Sequence, residues 1–330
     1  MIISRAPYRV SFVGGGTDLK SFYQKSFGLN ISTSINKYIY IIIKRPKGII
    51  EKKYKINMGK VQHTDFVDKI KHPIVRETLK YLKIDFPIEI GMYSDLPSKT
   101  GLGSSSTFTV ALIKGLFTLQ KKKISKYELA ELAAYIEINK LKRNIGKQDH
   151  YASTFGGLNK IKYFNDNKVK VSKIKLQKNV KNKLISNLRI YFSGIRRDAS
   201  KILKYQNNNV RKIEETLIKI RNLVEPFEKN LTKLSKLSKL GNLIKTNWEL
   251  KKKISSEISS KKINSYFKIA IKSGASGGKI LGAGGGGFFL FYVNDRYKKK
   301  LDNSLKKLVK IDFDFEESGV KIIYNDKKDY

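Results

Sequence analysis

Along the first part of the chain the hydrophobic positions fall in short runs rich in β-branched and aromatic residues, which predicts strands at residues 2–13, 31–43, 54–58 and 88–93. Helical periodicity then takes over at residues 107–119. A second helix opens with Ser125-Lys-Tyr-Glu128, a capping-box pattern. It carries the register Leu129, Leu132, Ala133 and Ile136, and Asn144 and Gly146 mark its expected end. Strand signals return at 158–164 and 188–192. A long lysine-rich helical region follows over residues 199–260 and holds the one tryptophan, Trp248. The last part reads as helix (264–273), glycine loop, strand (288–293), helix (297–308) and strand (319–324). This order predicts an α+β protein of two domains, 1–187 and 188–330, with no internal repeat and no disordered tail beyond the last few residues.

Three glycine clusters punctuate the pattern. In the middle one, LPSKTGLGSSS over residues 96–106, a proline-led turn with two glycines runs into the apolar helix. Backbone N–H groups left unpaired at such a helix start favour an anion, and the helix dipole adds to the effect. Gly101 and Gly103 allow close backbone approach, while Ser104, Ser105 and Ser106 add hydroxyls for phosphate or Mg²⁺. The last cluster, Gly282 to Gly287, formally matches GxGxxG. It precedes an apolar aromatic strand where a dinucleotide fingerprint needs a helix, so that reading is excluded. No GxxxxGK[ST] occurs, which excludes a P-loop. The first cluster, Gly14 to Gly16, lies in SFVGGGTDL.

Composition narrows the class. With 330 residues, 40% of them hydrophobic, the chain can bury a sizeable core, and the absence of cysteine rules out disulfides and thiolate chemistry. The amino terminus lacks the apolar stretch of a secretory signal and the apolar runs are too short to span a bilayer, so a soluble cytoplasmic protein is expected. A formal net charge of +40 raises the question of nucleic acid. The lysines, however, are spread along nearly the whole chain, in KKK at 121–123, 251–253 and 298–300, with no aromatic-interleaved basic motif. They read as solvated faces, with nonspecific polyanion binding at low salt and neither a specific nucleic acid nor a membrane as partner.

Two carboxylates stand out. Glu137 has Ala130, Ala134 and Leu141 on its flank. If that flank packs on the 107–119 helix, Glu137 reaches the serine turn and can hold Mg²⁺ with the Ser105 hydroxyl; otherwise it is a surface residue paired with Lys140 or Lys142. Asp149, in GKQDHYASTFGGL, sits in an expected loop between glycines, where it is either an Asx turn or a functional carboxylate. An anion cradle, a carboxylate with a hydroxyl for Mg²⁺, and a carboxylate to accept a hydroxyl proton are together what phosphoryl transfer requires.

In all three motifs and their order the chain resembles the GHMP kinases: SRAPYRVSFVGGGTD the first motif, LPSKTGLGSSS the second and KILGAGGGG the third. The resemblance implies a ribosomal-protein-S5-like N-terminal domain, a ferredoxin-like C-terminal domain and a site between them. It implies that Pro97, Gly101, Leu102, Gly103, Ser104, Ser105 and Ser106 bind the ATP phosphates and that Ser105 and Glu137 hold Mg²⁺. Asp149 is then the base towards the acceptor hydroxyl, Arg9 the fixed charge beside the transferred phosphoryl, and Gly284, Gly285 and Gly286 the wall beside the phosphates.

Galactokinases usually carry Gly-Glu-His-Thr-Asp where this chain has Gly14-Gly15-Gly16-Thr17-Asp18, which argues against galactose. Gly15, Gly16, Thr17 and Asp18 remain the expected acceptor contacts. Within the superfamily RVSFVGGGTDL, NISTSINKYIYI, GKQDHYASTFGGLN and WELKKKISSEIS resemble bacterial D-glycero-D-manno-heptose 7-phosphate kinases, which implies phosphorylation at the anomeric hydroxyl; an L-fucokinase-like activity is the alternative. Arg196 and Arg197, in SGIRRDAS, are the candidates for the acceptor's phosphate. An RNA-associated protein on an S5-like domain is the non-enzyme alternative, and monomer and homodimer both stay open.

Overall fold

The computed structural model describes residues 1–196 and 199–326. Twelve strands among these residues form two sheets. The first contains β1 (Ile2–Val13), β2 (Gly28–Lys44), β3 (Tyr54–Asn57), β4 (Val61–Thr64), β5 (Ile88–Ser94), β6 (Leu158–Tyr163), β7 (Val169–Lys173) and β12 (Lys321–Asn325). Its order is β12-β1-β2-β5-β3-β4, and β6 joins the near half of β2 and carries β7. All pairs are antiparallel except β3 with β5.

The second sheet has the order β11-β8-β10-β9, from β8 (Leu188–Phe192), β9 (Ala275–Ile280), β10 (Phe288–Val293) and β11 (Val309–Ile311). In chain order this is 4-1-3-2 with helical crossovers, the ferredoxin-like arrangement. Its central strand β10, FFLFYV, is buried at every position, which is why that run shows no alternation.

On the first sheet α3 (Ser104–Leu119) packs against β1 and β2, and it is flanked by α4 (Lys126–Ala134) and α5 (Gln148–Phe155). Both hydrogen bonds of the Ser125–Glu128 capping box form. The expected end of that helix moves: residues Tyr135–Lys140 wind as a π-turn, with the Leu141 N–H on the Ile136 carbonyl, and the chain leaves the axis before Asn144. Asp149 is not in a loop. It lies in the first turn of α5, because the Asp18 carboxylate accepts from the Gln148 N–H and starts the helix from the distant turn after β1, a cap that no local pattern announces.

The predicted helical stretch after β8 resolves into shorter helices, among them α10 (Leu240–Lys252), which lies on β9. β9 itself occupies the start of the expected glycine loop. The chain passes to the second sheet at Leu188, where the sequence suggests a division, but β12 returns and pairs Ile2 with Asn325 and Arg5 with Lys321. A cut at 187 would therefore separate β1 from its edge partner. One apolar core, with Phe12 stacked on Phe227 at 5.5 Å, runs continuously from one sheet to the other.

Candidate active site

The three glycine motifs meet at the junction of the sheets. Gly101, with φ +83°, faces the third motif so closely that a Cβ would stand 2.4 Å from the Leu281 carbonyl, and one on Gly282 would stand 2.7 Å from Gly101. Neither position can carry a side chain, and this contact locks the second motif to the third. The Phe288 N–H adds a hydrogen bond to the Thr100 carbonyl. α3 begins at Ser104 after Gly103 in the left-handed region, and no side chain caps it, so its first N–H groups face the loop opening. Pro97 to Lys99 are exposed, Ser104 and Ser105 half-buried, and Leu102 and Ser106 turned into the core.

Arg9 reaches this loop from β1. Its Nη1 donates to the Gly101 carbonyl at 2.7 Å, while Nε and Nη2 fork onto the two oxygens of Asp149 at 2.7 and 2.8 Å. Arg9 is 5% exposed and the Asp149 side chain 24%, so the guanidinium is fixed from behind while the carboxylate keeps an open edge. Around them the Ser153 hydroxyl donates to the Pro7 carbonyl and pairs with Thr107, tying α5, α3 and β1 together.

Glu137 is fully buried and reaches the serine turn across α3. One of its oxygens accepts from Ser105 Oγ at 2.5 Å and Arg143 Nη1 at 2.7 Å, the other from Thr109 Oγ1 at 3.0 Å, with His150 Nε2 at 3.1 Å. Lys140 and Lys142 are not its partners. Burial alone would raise its pKa, but the hydrogen bond and charge of His150, with Ser105 and Arg143, overcome it and hold the carboxyl at about 2. These donors fit Mg²⁺: a hydroxyl and an ionised carboxylate share one point, and the Arg143 cation, itself 2.5 Å from Ser105 Oγ, stands there. Sequence reasoning missed Arg143 and His150. His150 was findable, since it shares the first turn of α5 with Asp149.

The first motif is split in role. Asp18 is buried and accepts from the Gly16 and Gln148 N–H groups; burial raises its pKa, the Gln148 N–H opposes this and the Asp149 charge adds to it. Gly146 must be glycine, because a Cβ there would come 1.9 Å from Asp18 Oδ2. Gly15 and Gly16 are half-buried at the surface of the cleft. Thr17, expected to face the acceptor, is corrected: it is fully buried and its hydroxyl donates to the Gly14 and Leu29 carbonyls, closing the turn. Gly284, Gly285 and Gly286 are expected to form the wall beside the phosphates. They are buried against the second half of the chain, where Gly285 N–H donates to the Ile258 carbonyl and a Cβ on Gly286 would strike Ile195, while Gly282 and Gly287 touch the phosphate loop. Arg196 is exposed on the loop after β8, and Arg197 lies outside the described residues.

The run Lys251 to Lys253 does not read as a solvated face throughout. Lys251 is buried with its Nζ 2.5 Å from the Gly282 carbonyl, and Lys279 on β9 is buried with its Nζ 3.0 Å from the Phe12 carbonyl. The register of α10 carried the signal, for Leu240, Ile244, Trp248 and Lys251 share one face. Among the described residues no helix is long and apolar enough to cross a membrane.

Comparison with known proteins agrees with this architecture. Residues 70–157 match the model of the GHMP kinases N terminal domain and residues 227–309 that of the GHMP kinases C terminal. The D-glycero-alpha-D-manno-heptose 7-phosphate kinase of Campylobacter jejuni is 31% identical, over 97% of this chain and 98% of that protein. The mevalonate kinase of Methanocaldococcus jannaschii is 28% identical over 71% of each. Among solved structures, a D-glycero-D-manno-heptose 1-phosphate kinase from Bacteriodes thetaiotaomicron superposes with a TM-score of 0.81 at 24% identity, covering 98% of this chain and all of that one.

Proposed function

The chain belongs to the GHMP kinase family, and from that premise we propose that this sugar kinase transfers the terminal phosphoryl group of ATP to the anomeric hydroxyl of D-glycero-D-manno-heptose 7-phosphate, giving the 1,7-bisphosphate. The single observation that carries the mechanism is the Arg9–Asp149 fork at the mouth of the phosphate loop. The acceptor hydroxyl would lie on the open edge of Asp149, which orients it and takes its proton as the bond to phosphorus forms. Held between both oxygens by a guanidinium, this carboxylate acts mainly by positioning, and Arg9 supplies fixed positive charge where negative charge develops.

The uncapped start of α3 would receive the triphosphate, with Ser104 and Ser105 N–H groups and hydroxyls as donors. Ser105 and Glu137 would hold Mg²⁺, which would supply positive charge to the phosphate oxygens. Arg143, whose side chain is one-third exposed, would yield that point to the metal ion. Gly15, Gly16 and the remaining lone pairs of Asp18 line the acceptor side.

The test is ATP consumption with Mg²⁺ across heptose 7-phosphate, L-fucose, galactose and mevalonate, beside Asp149→Asn. Turnover with heptose 7-phosphate alone, reduced about 10²- to 10⁴-fold in the variant, is expected. Turnover with fucose alone would replace the substrate and keep the mechanism; undiminished turnover in Asp149→Asn would remove Asp149 from it.

A further inference from the structure

Lys251 and Lys279 have no part in the mechanism above, yet both are buried charges. Lys251 is 5% exposed and Lys279 2%. Each spends one N–H on a backbone carbonyl, Gly282 and Phe12 respectively, which leaves two donors on each ammonium. Among the described residues neither has a carboxylate within 4.0 Å. Burial lowers the pKa of both; for Lys251 Arg9 adds to it while the Asp18 and Asp149 charges oppose it and leave it at about 8, and for Lys279 Lys251 and Arg9 add to it. Two buried ammonium groups beside Arg9, with no carboxylate in direct contact, are unfavourable, so the site holds more positive charge than Asp18 and Asp149 offset.

The surroundings are short of acceptors as well. Asn247, one turn before Lys251 on α10, accepts from the Gly14 N–H at 3.2 Å, and its Nδ2 is buried without a partner. Ser11 Oγ and Gln148 Nε2 are likewise buried and unpaired, and both side chains border Gly15. Orphaned polar groups thus sit on β1, α5 and α10; of these elements, β1 also supplies the Phe12 carbonyl that holds Lys279, and α10 supplies Lys251 itself.

We propose that Lys251 and Lys279, with the Asn247 amide, form a buried seat for a phosphate dianion between β1 and the β9–α10 unit. Two phosphates could fill it, the acceptor's own or the terminal one of the nucleotide. Only that choice rests on the kinase reading; the seat does not.

The experiment is titration calorimetry at fixed ionic strength on the wild type, Lys251→Met and Lys279→Met. The probes are inorganic phosphate, heptose 7-phosphate against unphosphorylated heptose, and a non-hydrolysable ATP analogue with Mg²⁺. Each variant is expected to weaken phosphate binding about ten- to a hundredfold while melting no lower than the wild type in phosphate-free buffer. Loss confined to heptose 7-phosphate assigns the seat to the acceptor, and loss confined to the ATP analogue assigns it to the terminal phosphate. Lysines that merely prop the two carbonyls would behave oppositely, with lower melting and unchanged affinities, and that result overturns the proposal. Should a Met variant fail to fold, Lys251→Gln and Lys279→Gln keep a donor for each carbonyl, and wild-type affinity in them is equally fatal. Phosphate binding lost in the variants without turnover of any sugar leaves the seat and sinks the kinase substrate; turnover with unaltered binding does the reverse.

Discussion

Glu137 and Lys251 are both removed from water, but they keep different company. Glu137 has Ser105, Thr109, Arg143 and His150 around its two oxygens, and its carboxyl is held in the charged form. Lys251 has one carbonyl, and burial with the Arg9 charge disfavours its own charge more than Asp18 and Asp149 favour it. A buried charge with a complete shell is part of the structure and can organise a cation from its own strength. A buried charge with an incomplete shell is held at the expense of stability and is completed by something that binds.

The sharpest break in this comparison is Glu137→Leu. Removing the carboxylate strands Ser105, Thr109 and His150 without their acceptor, and the loss expected is about 3–5 kcal/mol, read by urea denaturation. Acid provides a gentler version. The folded carboxyl titrates at about 2 and an unfolded one near 4.5. Its contribution, about 3 kcal/mol, is therefore complete above pH 4.5 and disappears as pH falls towards 2. Glu137→Gln should flatten that limb of the stability profile, and an unchanged limb would show that other carboxylates dominate it. The smallest effect belongs to Lys252→Ala, the neighbour of Lys251 in the same basic run. Lys252 pairs with Glu249 at 2.9 Å on the surface, so its loss should change stability by under about 0.5 kcal/mol and phosphate affinity not at all. If Lys252 and Lys251 variants behaved alike, burial would not be what distinguishes them.

Much of the site was legible because its chemistry is local. The phosphate cradle is a turn and a helix start contiguous in sequence, and the apolar flank of Glu137 pointed at α3 and so at Ser105. The strands at 2–13, 188–192 and 288–293 followed from side-chain pattern alone and keep those limits in the structure. Asp149 was singled out but set in a loop, since the cap that makes it helical comes from Asp18, far away in sequence. The π-turn at Tyr135–Lys140, which brings Arg143 back to Glu137, likewise has no local signal.

By itself the sequence determined several of the strands and helices, the order of the three glycine motifs and therefore the family. Those properties depend on side-chain periodicity and on glycine spacing, both written along the chain. Only the tertiary structure decided that β12 completes the first sheet, that Thr17 turns inward, and that one lysine of a basic run is buried while its neighbour is solvated. Composition treats the lysines as equal. Their electrostatic roles diverge because burial, which sets the strength of a charge and the need for a partner, is a property of the packed chain.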